Sequence, residues 1–476
     1  TGGMGSRAQG EGFGPDYELP NHTAYCETCA AISNVYWNYR MFLATGEAKY
    51  MDVLERALYN GVISGVSLSG DKFFYDNPLE SQGEHDRQRW FGCACCPGNI
   101  TRFMASISGY TYATQASDIY VNLYIQGSAD LQTESGHVAL TQTTEYPWNG
   151  TVTIKVDPEQ AGSSFALRLR IPGWLQQHPV ASDLYTYTDA PASYTLKVNG
   201  SRVKATVSDG YATISRKWNA GDIVELGLPM NIRRIKAHDK VTADRGMLAL
   251  ERGPVVYCLE GQDQPGGTVF DKYIPDGTDI QAAFDPELLG GITVLSGTVG
   301  DTPFKAIPYS TWNNRGTDQM TVWIPASAEY STPVPKPTIA SRAKAYSDGT
   351  PAWGVNDQWE PRSSSDIDKP YFYWWLKKGG EESLEYEFDQ PYTVSKVQVY
   401  WLDFDHYDGN YRVPESWKLY YRNGRRWKEV EALTPYGTEK DCYNTLEFKP
   451  IKTTGLKIAA QLQEGESGGI IEWKVL

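Results

Sequence analysis

No run of about 18 apolar residues occurs in the 476-residue chain, so no helix of the kind that crosses a bilayer is expected. Basic charge is short as well: 44 Lys and Arg stand against 58 Asp and Glu, giving a formal net charge of -14, and no basic face suited to phosphate is visible. Nucleic acid is therefore not an expected partner, and uncharged substrates fit better. The opening TGGMGSRAQGEGFG has no initiator Met, charged n-region or apolar h-region, so no signal peptide is expected in it. Solenoid repeats and low-complexity tracts are missing too. Cysteine is sparse and uneven. Of seven, Cys26, Cys29, Cys93, Cys95 and Cys96 share one span while Cys258 and Cys442 stand alone, which argues against a disulfide framework and for a site. Neighbouring Cys95 and Cys96 could pair with each other only under strain.

Aromatic residues are plentiful. The 32 Tyr and 15 Trp supply flat rings that fill sandwich cores and also stack on sugars. Length argues for about three domains at roughly 150 residues each.

From Thr23 a polar start, apolar residues at helical spacing (Ala30, Val35, Phe42) and the stop Thr45-Gly46 predict a helix of about twenty residues. The next segment places Tyr50, Leu54 and Leu58 on one face, so a short turn should join the two as an αα-hairpin. A third helical pattern, Ile100, Phe103, Met104 and Ile107, follows Pro97, which makes the first 116 residues a helical region. After Ser117 the period changes to two. Short alternating runs with Asn199-Gly200 and Asp209-Gly210 turns predict an antiparallel β-sandwich over residues 117–252. Residues 253–332 should complete or extend it with RGPVVYCLEG and ITVLSG as strands, and the prolines of STPVPKPT mark a linker. Residues 338–476 read as a jelly-roll β-sandwich rich in Trp and Tyr. The fold class is multidomain α+β.

Three pieces carry chemistry: GGMGSRAQGEGF around Glu11, YCETC at 25–29, and WFGCACCPGN at 90–99. Zinc takes four ligands tetrahedrally, and Glu27, Cys29, Cys95 and Cys96 would suffice. Glu27 and Cys29 are two apart, so both reach one ion only where a helix begins and its backbone is irregular. Pro97 favours the first turn of a helix, which puts Cys95 and Cys96 at the positive end of its dipole. The cluster alone leaves structural zinc, catalytic zinc and buried free thiols all open. Gly10 and Gly12 suggest a tight loop around Glu11, and His85 and Arg87 read as surface charges.

GGMGSRAQGE, YELPN, YCETC, FFYDNPLES and WFGCACCPGN occur in this order and resemble the β-L-arabinofuranosidase family, glycoside hydrolase families 127 and 146. RIPGW and LERGPVVYCLEG extend the likeness into the sandwich, and SWKLYYRNGRRWKEV with GGIIEWKVL resembles a discoidin-like domain. The resemblance implies a retaining glycosidase for arabinofuranosides of plant glycans, in a periplasmic or secreted setting. It implies Glu11 as general acid/base, Cys95 as nucleophile, and Zn2+ held by Glu27, Cys29, Cys95 and Cys96. Cys26 and Cys93 match no ligand and read as packing. Substrate-binding residues stay unassigned, although Tyr371, Phe372, Tyr373, Trp374 and Trp375 form a run that could stack on glycan or fill a core. The family's first helices lie upstream of the glutamate motif, so an incomplete α/α barrel is expected. Its uncovered apolar face would favour association, and the chain is expected to be weak or inactive unless those helices are supplied by another polypeptide. The alternative is a carbohydrate-binding or scaffold fragment whose zinc is only structural.

Overall fold

The structure, a computed structural model, describes all residues except 333–334, 375–376 and 406–408. The chain divides into two compact units, Thr1–Pro333 and Val334–Leu476.

Strand is the main component of the first unit, but its opening part is built on three helices. Helix α1 spans Thr28–Thr45 and is closed by Gly46, whose left-handed backbone (φ 73°) lets its N–H reach Phe42 O. Helix α2 covers Ala48–Arg56 and runs on through a π-turn at Ala57–Val62. Helix α3 is Cys95–Met104. Ile32, Val35 and Phe42 of α1, Met51 and Leu54 of α2, and Ile100 and Phe103 of α3 share one buried core. Periodicity located all three. It overreached in making the whole region helical: residues 1–27 and 66–94 are mainly irregular. Gly2, Gly5 and Gly10 there take positive φ, a conformation that costs glycine little and breaks any helix. The first helix also starts later than expected. The Thr28 N–H is taken by Tyr75 O (2.9 Å), a bond to a distant segment that no local pattern announces. Among the described residues no helix is long and apolar enough to cross a membrane.

Two sheets follow, a six-stranded one from Gly127–Thr133 to Asp222–Gly227 in sequence and a five-stranded one that includes Asp118–Val121, Ser163–Arg170 and Tyr211–Trp218. They share a core of alternating residues such as Val152, Ile154, Val156, Leu167 and Leu169. Asn199-Gly200 and Asp209-Gly210 make the hairpins expected of them, all four residues having positive φ. One pairing departs from the antiparallel expectation: Asp118–Val121 runs parallel to Ser163–Arg170.

A ten-stranded sheet completes the unit. Its strands Met247–Arg252 and Val255–Glu260 form a hairpin, so the expected division between residues 252 and 253 falls inside one element. The sheet also recruits Glu80–Gln82 from the helical region, paired to Gln319–Thr321. That pairing anchors the irregular 66–94 segment, which leads directly into α3.

The second unit is an eight-stranded sheet system around a core that includes Trp374, Trp401, Trp417 and Trp473. Phe372–Tyr373 is a strand, and Tyr371 and Tyr373 pack against a small buried cluster, so these members of the aromatic run serve packing. Trp375 lies outside the described residues.

Candidate metal and catalytic site

The site forms where the starts of α1 and α3 meet the 74–77 segment. Glu27 is the N-cap of α1 with extended backbone (ψ 139°), so its side chain leaves the axis and can share a target with Cys29 one step into the helix. The 74–77 segment holds this first turn in place. Asn77 donates to Cys26 O and to Thr28 Oγ1, both at 3.0 Å, and Thr28 Oγ1 donates to Phe74 O at 2.9 Å. Cys95 and Cys96 open α3, with Pro97 in its first turn, as expected.

The four donor atoms of Glu27, Cys29, Cys95 and Cys96 lie within 4.8 Å of one another, and the set could hold a metal ion. Cys95 Sγ is 3.5 Å and Cys96 Sγ 3.4 Å from Glu27 Oε1, and the two sulfurs are 3.8 Å apart. A tetrahedral zinc with sulfur at about 2.3 Å and oxygen at about 2.0–2.2 Å would set S···S near about 3.8 Å and S···O near about 3.5 Å. Glu27, Cys95 and Cys96 therefore stand at the spacing such an ion requires, and Cys29 Sγ lies within 4.8 Å of each. All seven cysteines are free thiols, so the ligand sulfurs are available. Without a cation, burial pushes the Cys29 thiol up to about 11 and raises Cys96 as well, with its neighbour Cys29 adding to the rise. A bound cation reverses that preference, because thiolate is the form that coordinates. Cys96 and Glu27 are buried, whereas Cys95 is exposed and open to an incoming molecule.

Glu11 sits on a loop closed by reciprocal backbone bonds between Arg7 and Gly12 (3.2 and 3.1 Å) and by the Arg7–Glu18 ion pair (2.6 Å). The loop is tight, as Gly10 suggested: Gly10 has φ 71° and Glu11 itself φ 51°, a region that costs a side-chain-bearing residue conformational energy. Tyr25 donates to Glu11 Oε1 at 3.1 Å.

Three expectations need correction. Arg87 is not a surface charge. It is 2 % exposed, donates to Ser64 O and Trp312 O, and stacks over Phe74, and burial lowers its guanidinium to about 10. His85 is partly buried too, stacked on Trp312 with Phe74 beside it. Cys26 does pack, against Gly3, and burial raises it to about 11, but Cys93 is exposed with its sulfur 4.0 Å from Cys95 Sγ. Sequence reasoning missed Tyr25 and Tyr75. The Tyr75 hydroxyl is 3.3 Å from Cys95 Sγ; Tyr25 stands in YCETC, read only for its glutamate and thiols, and Tyr75 in FFYDNPLES, used only for the family resemblance. A separate cavity of ≈ 640 Å³ bordered by Cys26, Arg56 and Trp323 includes none of the four donors, so it is not read as the substrate pocket.

Residues 1–109 match the β-L-arabinofuranosidase GH127 catalytic domain, 118–230 the GH127 middle domain, and 232–325 the glycoside hydrolase family 127 C-terminal domain. The chain is 32% identical over 365 residues to a non-reducing end β-L-arabinofuranosidase of Bifidobacterium longum subsp. longum, covering 68% of this chain and 52% of that protein. It resembles the solved structure of a GH127 β-arabinofuranosidase at 46% identity and TM-score 0.67, covering 70% of this chain and 54% of the other. A GH127 β-L-arabinofuranosidase from Geobacillus stearothermophilus T6 matches at 41% identity and TM-score 0.62, covering 68% and 54%. The chain spans about half the length of these relatives. With all three domain types present in order over residues 1–325, the chain belongs to glycoside hydrolase family 127.

Proposed function

We propose that this chain carries the nucleophile, metal and acid/base groups of a retaining glycoside hydrolase that releases terminal β-L-arabinofuranose, or a related furanose, from plant glycans. The observation that carries the reading is the cluster of one carboxylate and three thiols with a single exposed member, Cys95. A purely structural zinc site is closed, whereas a catalytic one keeps an accessible position, so the exposure of Cys95 favours catalysis over the scaffold alternative.

Glu27, Cys29, Cys95 and Cys96 would hold Zn2+. When bound, the ion supplies positive charge that keeps Cys95 a thiolate without a separate base. Glu11 protonates the leaving oxygen while the Cys95 sulfur attacks the anomeric carbon and displaces it. Glu11, now a carboxylate, then takes a proton from water as that water attacks the same carbon, and the carbon–sulfur electron pair returns to Cys95. Two displacements retain the anomeric configuration.

In the same reading the three helices form part of an α/α barrel. Exposed Trp37 and Leu43 on α1 offer an apolar face for association. Residues 338–476 are a discoidin-like sandwich. The deciding experiment is hydrolysis of an aryl β-L-arabinofuranoside by an active preparation and by its Cys95→Ser variant. Loss of cleavage with the zinc content retained is expected, and an unchanged rate assigns the nucleophile elsewhere.

A further inference from the structure

Glu27 is turned towards the thiols by an uncommon stretch of backbone. Cys26, just before it, has φ 40°, a region that costs a side-chain-bearing residue conformational energy, while Glu27 is extended and Thr28 is already helical. Such a conformation persists only where the surroundings fix it. The Cys26 N–H is taken by Gly5 O at 2.9 Å, and the Asn77 amide donates to Cys26 O and to Thr28 Oγ1, both at 3.0 Å. The two residues that flank Glu27 thus hang on one side chain. Asn77 is itself buried and oriented in one way only. Cys26 O can only accept, so the amide nitrogen faces it; the amide oxygen then accepts from Ser64 Oγ at 2.7 Å. Thr28 Oγ1, having accepted from Asn77, gives its own hydrogen to Phe74 O at 2.9 Å. The segment that follows Asn77 is anchored to the ten-stranded sheet. The Tyr309 hydroxyl donates to Pro78 O and Val322 N to Leu79 O, both at 2.9 Å, and Glu80–Gln82 pairs with Gln319–Thr321.

We propose that Asn77 is a positioning residue for the metal, holding Glu27 in place among the three thiols before an ion arrives. The inference rests on the reading of Glu27, Cys29, Cys95 and Cys96 as zinc ligands and concerns how Glu27 comes to be one of them. Asn77 is not among the four donors. Its bonds end on the carbonyl and the hydroxyl on either side of Glu27, so it acts through that residue. The backbone at Cys26 is unfavourable taken alone, and the bonds from Asn77 offset that cost whether or not metal is present. Without them Cys26 and Glu27 relax towards ordinary angles, and the carboxylate leaves its place 3.4 Å from Cys96 Sγ and 3.5 Å from Cys95 Sγ. Binding must then restore the strained turn, at the expense of affinity. A partner one step removed from the ligands is typically worth about 10–100-fold in metal affinity.

The test is a zinc titration of the whole chain in competition with a chelating dye of known affinity. Asn77→Ala should weaken zinc binding about 10–100-fold. Thr28→Val, which keeps the shape of a buried side chain and removes one of the two bonds, should weaken it several-fold. In a Glu27→Ala background Asn77→Ala should change affinity by less than about twofold, because the residue it positions is gone. Thermal unfolding supplies a second readout. Asn77→Ala should lower the unfolding temperature more in zinc-loaded than in chelator-treated protein, whereas a purely structural asparagine would lower both equally. Wild-type zinc affinity in Asn77→Ala and Thr28→Val overturns the inference, as does an equal loss with and without the Glu27 carboxylate. If Asn77→Ala does not fold, Thr28→Val alone and in the Glu27→Ala background decides in the same way. Wild-type protein that takes up no zinc removes the metal reading itself and this inference with it, whereas wild-type binding that is indifferent to Asn77 removes the inference alone.

Discussion

Glu27 Oε1 and Cys96 Sγ lie 3.4 Å apart although 69 residues separate them in sequence, and both side chains are buried. A buried carboxylate against thiols is unfavourable unless something cationic offsets it. The expected outcome of elemental analysis is therefore about one zinc per chain, with chelation lowering the unfolding temperature of the first unit. A folded, fully stable protein free of metal would remove the zinc proposal.

Zinc binding should release protons. The Cys29 thiol stands at about 11 and Cys96 is also raised, both chiefly through burial, so both are protonated at neutral pH before metal arrives. Both must lose the proton to coordinate. Affinity therefore rises with pH below about 11 and falls as the solution is acidified. Calorimetric titration at pH 7 in buffers of different ionisation enthalpy should count about three protons released per zinc, one from each thiol that coordinates.

Arg170 should prove a keystone of the first unit. Its buried guanidinium, on the strand Ser163–Arg170, lies 2.6 Å from Asp52 and also donates to Glu55, both on α2, while Tyr146 donates to Glu55 at 2.8 Å. Arg170→Met leaves Glu55 charged and buried without its partner, which costs about 3–5 kcal/mol. Urea unfolding followed by tryptophan fluorescence measures it, and a change below about 1 kcal/mol would contradict the assignment.

The second unit should fold alone. Its buried cluster of Leu419, Leu446, Ile458, Trp401 and Trp473 draws only on residues after 338. A polypeptide of residues 338–476 is expected to give a single cooperative thermal transition with dispersed amide resonances. A spectrum of an unfolded chain would count against the division.

Local chemistry was legible where it depends on local backbone. Gly46 ends α1, and Asn199-Gly200 and Asp209-Gly210 turn hairpins, because each needs a left-handed conformation that these residues adopt cheaply. The four cluster donors could be named because zinc demands few residue types and Pro97 marked the start of α3, whereas the start of α1 at Thr28 depends on the distant Tyr75. Arg87 was misread because its polar neighbours in sequence resemble a surface segment, while its partners Ser64 and Trp312 come from elsewhere in the chain. Cys93 was misread for the converse reason, since a cysteine is usually buried and nothing local marks this one as exposed.

Taken by itself, the order of residues determined where the three helices lie, that the rest is mainly strand, where many of the strands turn, and which side chains can bind a soft cation, since these follow from spacing and from intrinsic backbone preference. Only the tertiary structure decided that Glu27 starts its helix beside α3, that Asp118–Val121 pairs in parallel, and that Tyr25 meets Glu11 and Tyr75 meets Cys95. Those outcomes depend on contacts between segments tens of residues apart, where packing and the pairing of buried polar groups override local propensity.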